Sequence, residues 1–107
     1  MIFKKINRVN GDTDQYRLSS LIKPYTLRDV GFNKSNAGNF IMRHPLGING
    51  PRLKIVVHDD LKTFKIDVTD PQGLRKVNIF DGKHQPAVEQ FNYLIQNLIL
   101  RKVLVRM

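Results

Sequence analysis

The sequence predicts an α+β fold, with one main C-terminal helix and antiparallel β-strands folded around it. Three observations carry this prediction. Residues 86–101 (PAVEQFNYLIQNLILR) repeat their apolar side chains at a helical period. Residues 52–80 alternate apolar and polar side chains between turn signals, as strands do. Residues 1–46 break into shorter alternating runs punctuated by Gly, Asn and Pro. The 107 residues are expected to form one domain, with N-terminal hairpins over 1–46, a meander over 52–80 and the helix over 86–101.

The helix is argued from its ends and its stripe. Pro86 suits a first helical turn, where its missing N–H costs nothing and its φ is preset. Glu89 is expected in that turn, and Arg101 and Lys102 in the last, where the helix dipole favours them. Ala87, Val88, Phe91, Leu94, Ile95, Leu98 and Ile99 fall on one side of the helical wheel, a stripe wide enough to face a core. Tyr93 and Leu100 lie off this stripe. They are either ordinary exposed residues or a second contact, to another chain or, if two sheets share the helix, to the N-terminal strands. The contact to the N-terminal strands is the expectation.

Taken in order, residues 2–9 read as a strand with Ile2 and Ile6 inward. Asn10-Gly11-Asp12 turns the chain and residues 15–18 return as its partner. Pro24, which restricts Lys23, argues against a helix running through that point. Residues 27–32 and 39–43 are short strand candidates around the polar loop 33–38 (NKSNAG). The glycine-rich connection 47–51 (GINGP) is the expected boundary between two sheet halves. A three-stranded meander follows, with Leu53, Ile55 and Val57, then Phe64, Ile66 and Val68, then Val77 and Ile79 on the core face. Asp59-Asp60 and Asp70-Pro71-Gln72-Gly73 supply its turns. Residues 103–105 end the chain as a short strand or a frayed helix end.

Composition narrows the function classes. There is no cysteine, so disulfides, thiol nucleophiles and thiolate metal sites are excluded. No N-terminal apolar run resembles a signal peptide, and no stretch approaches the ~18 apolar residues of a membrane helix. A cytoplasmic, soluble protein is expected, without membrane contact. The net charge is +9 and Glu89 is the only glutamate. Such an excess attracts polyanions, although small basic proteins often simply carry solvated charge.

No catalytic constellation is legible. His44, His58 and His84 have neither histidine nor carboxylate partners at zinc-site spacing, so no metal is expected. Most aspartates sit in turn sequences, where they bond local backbone. Gly47-Ile48-Asn49-Gly50 lacks the lysine and helix of a phosphate loop, and no serine lies in GxSxG. Arg28 and Asp29, just before Gly31, form either a local ion pair or the rim of a pocket. Lys54, Lys65 and Lys76 are expected to align across three neighbouring strands, extended by Arg52 and Arg75, as an anionic-ligand face or a solvated one. No cofactor is expected.

The run YTLRDVGFNKSNAGNF (residues 25–40) with the following RHPL, then GLRKVNIF (residues 73–80), and the helix opening near VEQFNYLI resemble a small uncharacterised family of lactic acid bacteria and their relatives. It is the domain-of-unknown-function family eighteen-thirty-one. The resemblance covers nearly the whole chain. It implies two antiparallel sheets packed on one helix, in a fold likened to S-adenosylmethionine decarboxylases. It also implies gene neighbours among cysteine desulfurases and transfer-RNA thiolation enzymes, from which some members take the label cysteine desulfurase. The residues here oppose that label read literally, since the chain lacks cysteine and is too short for a pyridoxal-phosphate fold. They oppose decarboxylase chemistry equally, because no Glu-Ser pair exists to yield a pyruvoyl group. The expectation is a non-enzymatic accessory or ligand-binding protein linked to sulfur or amino-acid metabolism. Its partner would be a cysteine desulfurase, a transfer-RNA thiolation enzyme or a small metabolite. The alternative is an RNA-binding (transfer-RNA) module using the basic sheet face.

Overall fold

In the computed structural model, which describes residues 3–47 and 50–107, the elements run in the order β1 (Ile6–Asn7), β2 (Tyr16–Leu18), α1 (Pro24–Asp29), β3 (Asn33–Lys34), β4 (Phe40–Pro45), β5 (Arg52–Val57), β6 (Phe64–Thr69), α2 (Gln85–Leu100) and β7 (Leu104–Arg106). A four-stranded antiparallel sheet has the order β3-β4-β5-β6, and a three-stranded one the order β1-β2-β7. The architecture is therefore α+β, with two antiparallel sheets and the C-terminal helix.

Alternation along β4, β5 and β6 decides the core. Phe40, Met42, Leu53, Ile55, Val57, Phe64, Ile66 and Val68 are all buried and share one cluster with Ala87, Phe91, Ile95 and Leu98 of α2. Val88, Leu94 and Ile99 flank that stripe, half-buried against the same cluster. Phe80 meets Phe91 edge to face at 5.6 Å. The expected helical stripe is thus the buried one, and each large side chain on it contributes roughly 1.5–3 kcal/mol before ordering entropy.

The helix ends differ from expectation. The first turn holds no acidic residue, because α2 starts at Gln85 and places Glu89 beyond it. The last turn holds no basic residue, because Arg101 is the C-cap and Lys102 lies past it in a left-handed conformation (φ 62). Burial of the stripe, not the dipole, holds this helix. Tyr93 and Leu100 are 70% and 68% exposed, which overturns their expected contact with the N-terminal strands. The second sheet is reached along the chain instead. The Val103 amide donates to the Leu98 carbonyl at 2.9 Å, the chain reverses, and β7 pairs with β2. The strand reading of 103–105 therefore holds, shifted by one residue.

Four further expectations are corrected. Residues 27–32 do not form a strand, since Pro24 opens α1 and the chain then bends through Gly31 (φ 107). Pro24 forbids a helix through it and favours one starting at it, because Lys23 before it is extended (ψ 147). Leu27 and Phe32 are buried all the same, so their apolar spacing was informative about burial and not about conformation. Segment 47–51 does not divide two sheets. It joins β4 to β5 within one sheet, and the Leu46 amide donates to the Pro51 carbonyl at 2.7 Å; residues 48–49 lie outside the described set. The meander has no third strand. Lys76 bridges Thr69, then Asn78 Oδ1 accepts the Phe80 amide at 2.8 Å and turns the chain toward α2. Ile6 is 43% exposed and so does not face inward, and Ile2 lies outside the described residues.

Candidate anion-binding site

Residues alternating with the core set form the outer face of the four-stranded sheet. Register places Arg43 of β4 directly opposite Lys54 of β5, and Lys54 opposite Asp67 of β6. The neighbouring row runs Asn33, Ile41, Val56, Lys65. Arg52 stands opposite Pro45 and Thr69. Arg43 and Arg52 are exposed, and Lys54, Lys65 and Asp67 are half-buried. The carboxylate on this face is engaged, with Asp67 Oδ1 3.3 Å from Lys76 Nζ. Among the described residues, none of Arg43, Arg52, Lys54 and Lys65 takes part in an ion pair.

At the β6 edge this face falls into a groove of about 610 Å³ lined by Lys4, Ile6, Asn7, Arg8, Gln15, Lys65, Ile66, Asp67 and Lys76. Three segments build it. Lys4 exchanges backbone hydrogen bonds with Phe64 (3.1 and 2.9 Å), which holds the N-terminal segment against β6. Asn7 Nδ2 donates to the Phe64 carbonyl at 2.8 Å and fixes the following turn. The Thr69–Lys76 bridge closes the third side. Four cations thus share a groove with a single carboxylate, which Lys76 already engages. The volume suits a small ligand and the polar lining suits a charged one.

A second groove of about 300 Å³ lies at the β3–β4 side, lined by Gly31, Asn33, Lys34, Ser35, Ile41 and Arg43. At the end of the Val56–Lys65 row, Lys65 Nζ stands 4.4 Å over the Phe3 ring, and Phe3 meets the His58 ring edge to face at 4.8 Å. His58 Nδ1 is 3.1 Å from Asp59 and 3.3 Å from Asp60. The Lys62 and Thr63 amides and the His58 ring hold the Asp60 carboxyl below its usual range. Among the described residues, no group of three or more His, Cys, Asp or Glu side chains is placed to hold a metal ion.

The expected site residues separate into two sets. Lys54 and Lys65 share the outer face with Arg52, but they occupy different rows, and Lys76 joins them from a loop bridge rather than from a strand. Arg75 lies in the 70–75 turn, where its carbonyl accepts the Asp70 amide at 2.9 Å. Arg28 and Asp29 are exposed on α1 and line neither groove. Asp29 instead lies 3.7 Å from Arg101 at the end of α2. Sequence reasoning missed Lys4, Arg8 and Arg43. Arg43 was accessible from strand parity, whereas Lys4 and Arg8 reach the groove only through a long-range bridge.

Comparison with known proteins agrees with this fold. A DUF1831 family protein from Lactobacillus plantarum, known from its crystal structure, is 34% identical to this chain. The match covers 100% of this chain and 99% of that one, with a TM-score of 0.95. No curated protein matches the chain. The family model described as "Putative amino acid metabolism" matches residues 1–105, and with that coverage the chain belongs to the DUF1831 family.

Proposed function

We propose that this protein is a non-catalytic accessory protein that holds a small carboxylate- or phosphate-bearing metabolite of amino-acid or sulfur metabolism in the β6-edge groove. The observation that carries the reading is the convergence of Lys4, Arg8, Lys65 and Lys76 on that groove. Cations gathered from three chain segments repel one another, and a bound anion relieves that repulsion. The family description supports the metabolic setting. The protein would act in the cytoplasm, presenting or buffering its ligand for a cysteine desulfurase or a transfer-RNA thiolation enzyme. Thermal unfolding with phosphate, AMP, aspartate and glutamate tests the reading. A ligand at a hundred times its Kd raises Tm by more than about 10 °C. The Arg8→Ala/Lys65→Ala variant should lose that shift. Equal Tm values with and without every probe, or an undiminished shift in the double variant, would overturn the small-anion reading.

A further inference from the structure

We infer that the two grooves are the ends of one track across the outer sheet face, and that this track binds single-stranded RNA. The inference goes beyond the small-anion reading, with which it shares only the β6-edge groove. Arg43 lines the β3–β4 groove and Lys65 lines the β6-edge groove, while Lys54 lies between them and lines neither. From β3 to β6 there are three strand spacings, roughly 15 Å. A single small anion does not span that distance, whereas a strand of several nucleotides does.

The centre of the track is the in-register pair Arg43–Lys54. Like charges directly opposite across two strands are destabilising. The nearest cross-strand carboxylate, Asp67, is 3.3 Å from Lys76 and does not form an ion pair with Lys54. An arrangement that raises the energy of the free sheet is relieved by a polyanion laid over it. The aromatic corner selects nucleic acid over an acidic peptide. Phe3 and His58 pair edge to face at 4.8 Å beside Lys65, and such a cluster offers a surface on which a base stacks. A peptide carboxylate gains the Lys65 charge there but not the stacking.

The test uses the full chain with fluorescein-labelled U12 RNA, AMP and a poly-glutamate of similar charge. Anisotropy is read from 50 to 200 mM salt. U12 should bind far more tightly than AMP, and its affinity should fall with salt at a logarithmic slope of about −2 to −3 for three or four phosphate contacts. Arg43→Glu and Lys54→Glu should each weaken U12 about tenfold and make the slope shallower by about 0.7. Lys54→Gln should give a smaller loss of the same kind, and serves if the glutamate variant does not fold. The Tm shift given by AMP should survive Lys54→Glu, because Lys54 lies outside both grooves. Equal affinity for U12 and AMP, unchanged U12 binding in the variants, or equal binding of poly-glutamate would each overturn the track. U12 binding without any AMP effect would keep the track and remove the small-anion site.

Discussion

The two faces of the four-stranded sheet are written by the same strands, chiefly the six-residue β4, β5 and β6, yet they obey different rules. On the inner face, Leu53, Ile55, Val57 and Phe64 are 0% exposed and packed into the cluster under α2. On the outer face, the alternating positions of the same strands carry Arg52, Lys54, Lys65 and Asp67, with Arg43 in register beside Lys54. Burial optimises the first face. The second retains a like-charge pair that burial and pairing would both disfavour. The contrast teaches that stability accounts for the inner face, whereas the outer face keeps a like-charged pair that stability does not select.

Substitutions on the inner side should break the fold outright. Ile95→Asp places a carboxylate in the centre of the cluster and should leave no cooperative unfolding transition by circular dichroism. Phe64→Ala removes a fully buried ring from the sheet side of the same contact. It should lower stability by about 3–5 kcal/mol in urea titration. A value below about 1 kcal/mol would place that ring outside the core.

Tyr16 tests the second sheet through pH. Burial, with the Asp12 carboxylate beside it, raises its hydroxyl pKa to about 12, and the hydroxyl donates to Asp12 Oδ2 at 3.1 Å. The unfolded chain releases this proton near pH 10 and the folded chain only near pH 12. This contribution to stability is therefore full below pH 10 and is lost as pH rises from 10 to 12. Tyr16→Phe should cost about 1 kcal/mol near neutrality and flatten that alkaline decline, as read by urea titration across pH 8–12. An unchanged decline in the variant would refute the assignment to Tyr16.

The outer face should answer in the opposite sense. Arg43→Glu converts the like-charged pair with Lys54 into an opposite-charged one. It should leave stability unchanged or raise it by about 0.5 kcal/mol. A loss above about 1 kcal/mol would mean that Arg43 supports the fold. The smallest effect is expected from Tyr93→Ser and Leu100→Gln on the exposed side of α2, each within about 0.5 kcal/mol of the parent. A larger loss would reveal a contact that their exposure denies.

Much of the inner face was legible in the sequence because period and burial coincide there. The α2 stripe and the alternation of β5 and β6 are local patterns, and all three elements lie within a residue or two of their expected positions. The errors share one cause. Leu27 and Phe32 are core residues, yet their spacing fits a strand or a short helix, and Pro24 decides between them only through the backbone of Lys23. Val77 and Ile79 look like a third strand, but residues 76–80 make a single bridge before Asn78 turns them away. The candidate site was legible by halves. Lys54, Lys65 and Lys76 were named from strand parity, and their groove partners Lys4 and Arg8 were not.

The sequence by itself determined the helix, the side of that helix that is buried and the inward face of β5 and β6, because each follows from the period of apolar side chains along the chain. Tertiary structure decided which strands share a sheet, how the second sheet reaches the helix and which cations converge at the β6 edge. Those outcomes depend on hydrogen bonds between residues sixty positions apart, as Lys4 and Phe64 are. A local pattern states that a strand has two faces. Only the assembled backbone states what stands opposite each one.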